Sequence, residues 1–275
     1  MSECNNNCES CKQKCDAPRV EKQNALSRVK RVIAVVSGKG GVGKSAVTAL
    51  LTVAMKNKGY SVAVLDADIT GPSVPKMFGV KSGVDGDANG MYPNKSEGGV
   101  KVMSSNLLLE HETDPVVWRG PVIASMVKQF WTDVVWGDVD YMFVDCPPGT
   151  GDVPLTVFQS VKVDGIIVVA TPQELVSMIV EKAVNMANMM KIPVLGIVEN
   201  MSYAVCPHCG DKISLFGEGK VEQVALKYNL PVLASVPIDG RIAAACDSGK
   251  VEQLQVDYAD CAADILESGL PVTAE

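Results

Sequence analysis

Short β-branched runs punctuate most of the chain, at Val32–Val36, Val62–Leu65, Val100–Met103, Tyr141–Val144, Gly165–Ala170, Val194–Val198 and Val232–Val236. Several are apolar at nearly every position, the pattern of strands buried on both faces of a parallel sheet. Between them lie stretches of helical periodicity, Ser45–Lys58, Val122–Trp136, Glu174–Met190, Lys220–Tyr228 and Ile242–Ser248. Strands alternating with helices predict βα units and a doubly wound, mostly parallel α/β sheet. Gly79–Gly99, rich in Gly, Asp and Asn, reads as a long surface excursion. Residues 1–16 form a Cys-rich tail and 17–31 a polar, partly helical connector. The globular domain is expected over 32–268, with a tail at 269–275.

Composition changes this picture in two ways. The 275 residues carry a net charge of −7 and only 5% aromatics. Neither the basic footprint of a general nucleic-acid binder nor a base-stacking platform is present. No run approaches the roughly 20 apolar residues of a membrane span, and the N-terminus lacks the apolar core of a signal peptide. A cytoplasmic protein with no nucleic-acid or membrane partner is expected.

The first predicted strand runs into Gly38-Lys39-Gly40-Gly41-Val42-Gly43-Lys44-Ser45 and then a helix. This is GxxxxGK[ST] in the strand–loop–helix context the motif requires. Glycines let backbone N–H groups curl around phosphates, and the helix directs its positive end at them. Lys44 is placed to neutralise the β and γ phosphates, and the Ser45 hydroxyl to ligate Mg²⁺. Two further strands end in carboxylates, Asp66-Ala67-Asp68 and Asp145, at the edge that faces the ligand crevice of such sheets. The prolines and glycines of Cys146-Pro147-Pro148-Gly149-Thr150-Gly151-Asp152 suit a switch loop.

The nine cysteines are unevenly spread. Cys4, Cys8, Cys11 and Cys15 crowd the N-terminus with no apolar periodicity around them, which points to metal or cluster binding. Cys206-Pro207-His208-Cys209-Gly210 is a tight knuckle supplying half of a four-thiolate shell. An iron–sulfur cluster, zinc, a redox dithiol and a bare turn are its readings. Cys146, Cys246 and Cys261 stand singly and are expected as small buried hydrophobes. His111 and His208 read as surface residues.

With Lys39 as an extra lysine, GKGGVGKS resembles the deviant Walker A loop of septum-site and partition ATPases, the nitrogenase iron protein and arsenite-pump ATPases. Adding DADITGPSVP, Trp118-Arg119-Gly120-Pro121, WGDVDYMFVDCPPGTGD, Gly196-Ile197-Val198-Glu199-Asn200-Met201-Ser202 and CPHCG, residues 30–268 resemble the Mrp/ApbC family of iron–sulfur cluster carriers and scaffolds. The resemblance implies a P-loop NTPase fold, a homodimer, slow ATP hydrolysis and cluster transfer to apo iron–sulfur proteins. It implies that Lys39 works in trans, that Asp68 orients the attacking water, and that Asp145 binds Mg²⁺ through water. By the same resemblance Asn200 reads the adenine edge, and the Pro237-Ile238-Asp239 loop packs on the base. Cys206 and Cys209 would bridge a 4Fe–4S cluster between subunits. Eukaryotic members carry an N-terminal four-Cys cluster with wider spacing than Cys4 to Cys15, which leaves a second cluster, zinc or a handoff tail open there. The competing reading is a zinc-stabilised positioning or partition ATPase. The acidic C-terminal stretch VDYADCAADILESGLPVTAE lacks the basic amphipathic helix that its membrane form needs.

Overall fold

The computed structural model describes residues 21–68, 71, 73–109, 120–149, 151–172, 176–217 and 220–268. Cys4, Cys8, Cys11, Cys15, His111, Trp118, Arg119 and the 269–275 tail lie outside the described residues.

Eight strands form the central sheet: β1 (Arg28–Ser37), β2 (Val62–Asp66), β3 (Asn94–Lys95), β4 (Lys101–Ser104), β5 (Asp138–Asp145), β6 (Gly165–Ala170), β7 (Val194–Asn200) and β8 (Val232–Val236). Their spatial order is β8-β7-β6-β1-β5-β2-β4-β3. Every neighbouring pair is parallel except β3 with β4. Chain order thus reverses around β1, and such a switch point opens a crevice at the carboxyl ends of the strands.

The side-chain period of two explains the two cores. Val32, Ala34 and Val36 of β1 enter one cluster with Phe130, Trp131, Trp136, Met142 and Val180. Ile33 and Val35 enter the other with Leu51, Met55, Val64, Phe143 and Leu266. The first face is covered by α3 (Gly120–Thr132), α4 (Asp152–Ser160), α5 (Val176–Met190) and α6 (Val221–Lys227). The second is covered by α1 (Lys44–Asn57), the short α2 (Val74–Met77), α7 (Gly240–Asp247) and α8 (Asp260–Ser268). The doubly wound α/β expectation holds. Among the described residues no helix is long and apolar enough to cross a membrane.

Three local differences have physical causes. Strand β1 begins at Arg28, four residues before the expected Val32, because Arg28–Val29 and Arg31 pair with β5. Residues 21–27 form no helix; they are irregular chain with a turn at Ala25–Leu26, closed by the Ser27 N–H on the Asn24 carbonyl. The Glu21 carbonyl accepts from Trp131 Nε1 at 2.9 Å, and Ser27 Oγ reaches the Val134 carbonyl at 3.1 Å. The segment 79–99 is less open than expected, since it holds a two-residue hairpin (Gly86–Asp87 with Gly90–Met91) and the edge strand β3.

Candidate functional site

At the carboxyl end of β1 the chain turns through the glycine loop into α1. Gly41 and Gly43 take φ of 78° and 75°, left-handed values that glycine adopts without a Cβ penalty. A second constraint acts at Gly43, where a Cβ would collide with the side-chain amide of Asn200. At Gly38 a Cβ would run into Ile179 of α5. The loop borders a cavity of ≈ 260 Å³ lined by Lys39, residues 40–46, Asp68, Ser73, Met77 and Pro148.

Beneath this cavity one row crosses the sheet: Val35 pairs with Asp145, Asp145 with Asp66, and Asp66 with Ser104. Both carboxylates of the row are fully buried. Lys44 Nζ, 6% exposed, lies 2.8 Å from Asp145 Oδ1 as an ion pair and 4.0 Å from Asp68 Oδ2. The Ser45 hydroxyl donates to Asp145 Oδ2 at 2.6 Å, and the Thr48 hydroxyl lies 2.9 Å from Oδ1. Burial works against the Lys44 charge, but Asp145, with Asp68 and Cys146, more than offsets it and raises the lysine's pKa. Asp66 moves well above the ordinary carboxylate range, first through desolvation and then through the charge on Asp145. It accepts from the Asp68 N–H at 3.1 Å, the Ser104 hydroxyl at 3.2 Å and the Val74 N–H at 3.4 Å, so it spans both ends of the 68–74 loop. Sequence reasoning gave Asp66 no task of its own; its register with Asp145 is what reveals this anchoring.

This set suits a polyphosphate and its cation. Lys44 Nζ is buried, and beyond the ion pair its ammonium makes no directed hydrogen bond, leaving donor capacity under the glycine loop. Ser45 Oγ and the Asp145 carboxylate supply the hard oxygen donors that Mg²⁺ takes. Cys146 is fully buried, and desolvation pushes its thiol up to about 12. It is a core residue rather than a ligand, as expected. Asn200, the last residue of β7, is buried, and its Nδ2 donates to the Val42 carbonyl at 2.8 Å.

The thiolate pair stands apart from this machinery on a small hairpin, Ala204–Val205 against Lys212–Ile213. The Cys206 N–H donates to the Asp211 carbonyl and the Gly210 N–H to the Cys206 carbonyl, both at 2.9 Å, which curls the knuckle tightly. Backbone N–H groups of Cys209 and His208 draw the Cys206 thiol below its ordinary range. Cys206 is half-buried, while His208 and Cys209 are exposed. The flanking Val205, Ile213, Leu215 and Phe216 are all large exposed apolar side chains. Among the described residues no group of three or more His, Cys, Asp or Glu is placed to hold a metal ion, so these two thiols have no third ligand there. Cys246 is buried as expected. Cys261 is exposed, because α8 turns Ala262, Ala263 and Leu266 into the core and leaves position 261 on its outer side.

Comparisons with known proteins agree with this geometry. Residues 28–268 match the family model described as ParA, NUBPL iron-transfer P-loop NTPase. An iron–sulfur cluster carrier protein of Methanocaldococcus jannaschii is 43% identical over 261 residues, 90% of each chain. One of Clostridium perfringens is 46% identical over 233 residues, 82% of each. A nucleotide-binding protein of Archaeoglobus fulgidus, solved in complex with ADP, superposes with a TM-score of 0.76 at 46% identity, covering 84% of this chain and 90% of that one. The septum-site protein MinD of Pyrococcus horikoshii, at 20% identity and a TM-score of 0.61 over 87% of this chain and 96% of its own, shares the fold.

Proposed function

Because the chain belongs to the family of NUBPL iron-transfer P-loop NTPases, we propose that it is an ATP-hydrolysing iron–sulfur cluster carrier. Its cargo is a 4Fe–4S cluster held between two copies of the chain, for delivery to apo iron–sulfur proteins. One observation carries the cargo site: an exposed two-thiol hairpin with no third ligand nearby among the described residues. A four-thiolate shell is completed when a two-fold axis brings the same pair from a second subunit. The exposed apolar side chains Val205, Ile213, Leu215 and Phe216 ring that hairpin and supply surface such an interface would cover.

The nucleotide side follows from the buried row. Lys44 is positioned for the β and γ phosphates, with loop N–H groups completing the cradle. Mg²⁺, held by Ser45 with Asp145 behind it, supplies charge neutralisation at the phosphates when bound. Asp68, at the cavity wall, orients the attacking water, and Lys39 adds a cation from the opposing subunit. Asn200 and the Pro237–Asp239 loop lie at the same carboxyl edge of the sheet, where they frame the base. Cys4, Cys8, Cys11 and Cys15, outside the described residues, offer four more thiolates, and a second cluster is the use we propose for them.

The test is iron, zinc and acid-labile sulfide on anaerobically reconstituted protein, beside Cys206→Ala. Iron matched by sulfide, with the bridging share lost in the variant, is the expected result. Zinc without sulfide, or iron per dimer unchanged in Cys206→Ala, defeats the bridging cluster.

A further inference from the structure

The two sites are joined by a short, well-tethered piece of chain, and one side chain begins it. Asn200 closes β7 with its amide on the Val42 carbonyl at 2.8 Å, packed where glycine alone fits at position 43. Only five residues separate Asn200 from Cys206. Met201 follows in a left-handed conformation, φ 56°, rare for a residue other than glycine. Local structure then fixes each step of the strap. Ser202 donates through both its N–H and its hydroxyl to the Val236 carbonyl, at 3.0 and 3.1 Å. The Tyr203 carbonyl accepts from the Ile238 N–H at 2.7 Å, and Lys212 Nζ sits 4.4 Å from the centre of the Tyr203 ring. Ala204 and Val205 enter the hairpin that carries the knuckle.

We propose that Asn200 is a positioning residue that couples the phosphate loop to the thiolate knuckle, its amide registering the loop backbone and the 201–205 strap carrying that register to Cys206. The coupling rests on reading residues 38–45 as the nucleotide site and Cys206 with Cys209 as the cargo site. The physical argument is a contiguous one. A ligand that pulls the loop N–H groups inward reorients the Val42 peptide, and the Asn200 amide either follows that carbonyl or loses it. A buried amide left without its acceptor carries a desolvation cost, so the two move together. Because Ser202 and Tyr203 are pinned to β8 and its following loop, a displacement at Asn200 has few soft dihedrals to dissipate it before Cys206. Met201, held in the left-handed region at φ 56°, sets the direction in which the strap leaves β7.

The experiment uses the full chain, metal-free and reduced, with Cys206 and Cys209 alkylation rates measured site by site by peptide mass spectrometry, with and without Mg-ADP. Binding of a fluorescent ADP is measured on every variant. In the wild type, ADP is expected to change the Cys206 rate roughly two- to tenfold, the range one hydrogen bond's net contribution converts to. Asn200→Ala at saturating ADP should flatten that response. A two-glycine insertion between Tyr203 and Ala204 leaves Asn200 on Val42 and Tyr203 on Ile238, and interrupts the strap only beyond them. It should bind ADP like the wild type and show no response at Cys206. The insertion variant decides the matter even where Asn200→Ala weakens ADP. A response retained in the insertion variant, or none in wild type that binds ADP, overturns the coupling. Failure of the wild type to bind ADP would remove the nucleotide site and the coupling with it, whereas an intact thiol response in a protein that takes up no iron and sulfide on separate reconstitution would remove the cargo reading alone.

Discussion

Burial sorts the five cysteines of the described residues into different chemical kinds. Cys146 is fully buried beside the Asp145 carboxylate, and desolvation lifts its thiol up to about 12. The thiolate is the nucleophile, so an inert thiol follows from that environment. Cys209 and Cys261 are exposed. Brief iodoacetamide treatment of the native protein at mildly alkaline pH should label these two and spare Cys146, which reacts only after denaturation. Peptide mapping checks it; labelling of Cys146 at the pace of Cys261 would mean that the β5 terminus opens readily. Much of the candidate site was legible at this scale, since Lys39 to Ser45, which border one cavity, sit in a motif whose residue types have separate physical reasons. The Asn200 contact with Val42 was not legible, because it joins positions 158 residues apart, far beyond any local period. Cys261 was misjudged for a related reason: its neighbours Ala262 and Ala263 are buried, and in a short helix adjacency in sequence does not mean sharing a face.

Helix α7 shows what a single cap does for an element. Asp239 is its N-cap, accepting from the Arg241 N–H at 2.8 Å, and it also takes the Arg241 guanidinium at 2.7 Å and the Tyr258 hydroxyl at 2.9 Å. The Arg241 partnership, against a smaller opposing effect of burial, holds the carboxyl down at about 2. A depressed folded pKa contributes stability that is present above the ordinary value of 3.8 and lost as pH falls toward 2. Asp239→Asn keeps a capping oxygen but removes the charge. Denaturant melts should therefore show wild type more stable than the variant at neutral pH, with the two curves converging between about pH 4 and 2. A gap that persists at the acidic end would assign the effect to packing instead. The elements themselves were read with uneven success, and the failures are physical. Central strands such as β6 are apolar throughout and declare themselves. By contrast, β3 is Asn94-Lys95, two polar residues at an antiparallel edge, and nothing local distinguishes it from a loop. The expected helix to Trp136 stops at Thr132. Val134 instead bridges to Met91 and Trp136 is buried in the irregular stretch before β5, a tertiary preference that apolar spacing alone cannot display.

At the scale of the whole molecule the open question is which copy supplies each lysine. Lys39 and Lys44 line the same cavity, so one chain brings two cations to its own rim. They differ in setting. Lys44 is buried against Asp145, while Lys39 is partly exposed at the rim of the cavity. In a two-fold dimer the arrangements make opposite predictions for a mixed assembly. Lys39→Ala and Lys44→Ala are each expected to abolish ATP turnover as homodimers. In a co-expressed heterodimer, the chain carrying Lys39→Ala keeps its own Lys44 and receives Lys39 from its partner, so one of its two sites is complete if Lys39 acts in trans. With random pairing half the dimers are mixed and half their sites are whole, which gives about a quarter of wild-type turnover from two inactive parents under closed two-fold symmetry. If Lys39 serves its own chain, every site in the mixture lacks one lysine and turnover stays at zero. The mixed dimer, purified through two different affinity tags, should then release phosphate at about half the wild-type rate, against none if Lys39 serves its own chain. Recovery would tie hydrolysis to the pairing proposed to bring two thiolate hairpins together, so that closing on ATP and holding the cluster would become properties of one assembly.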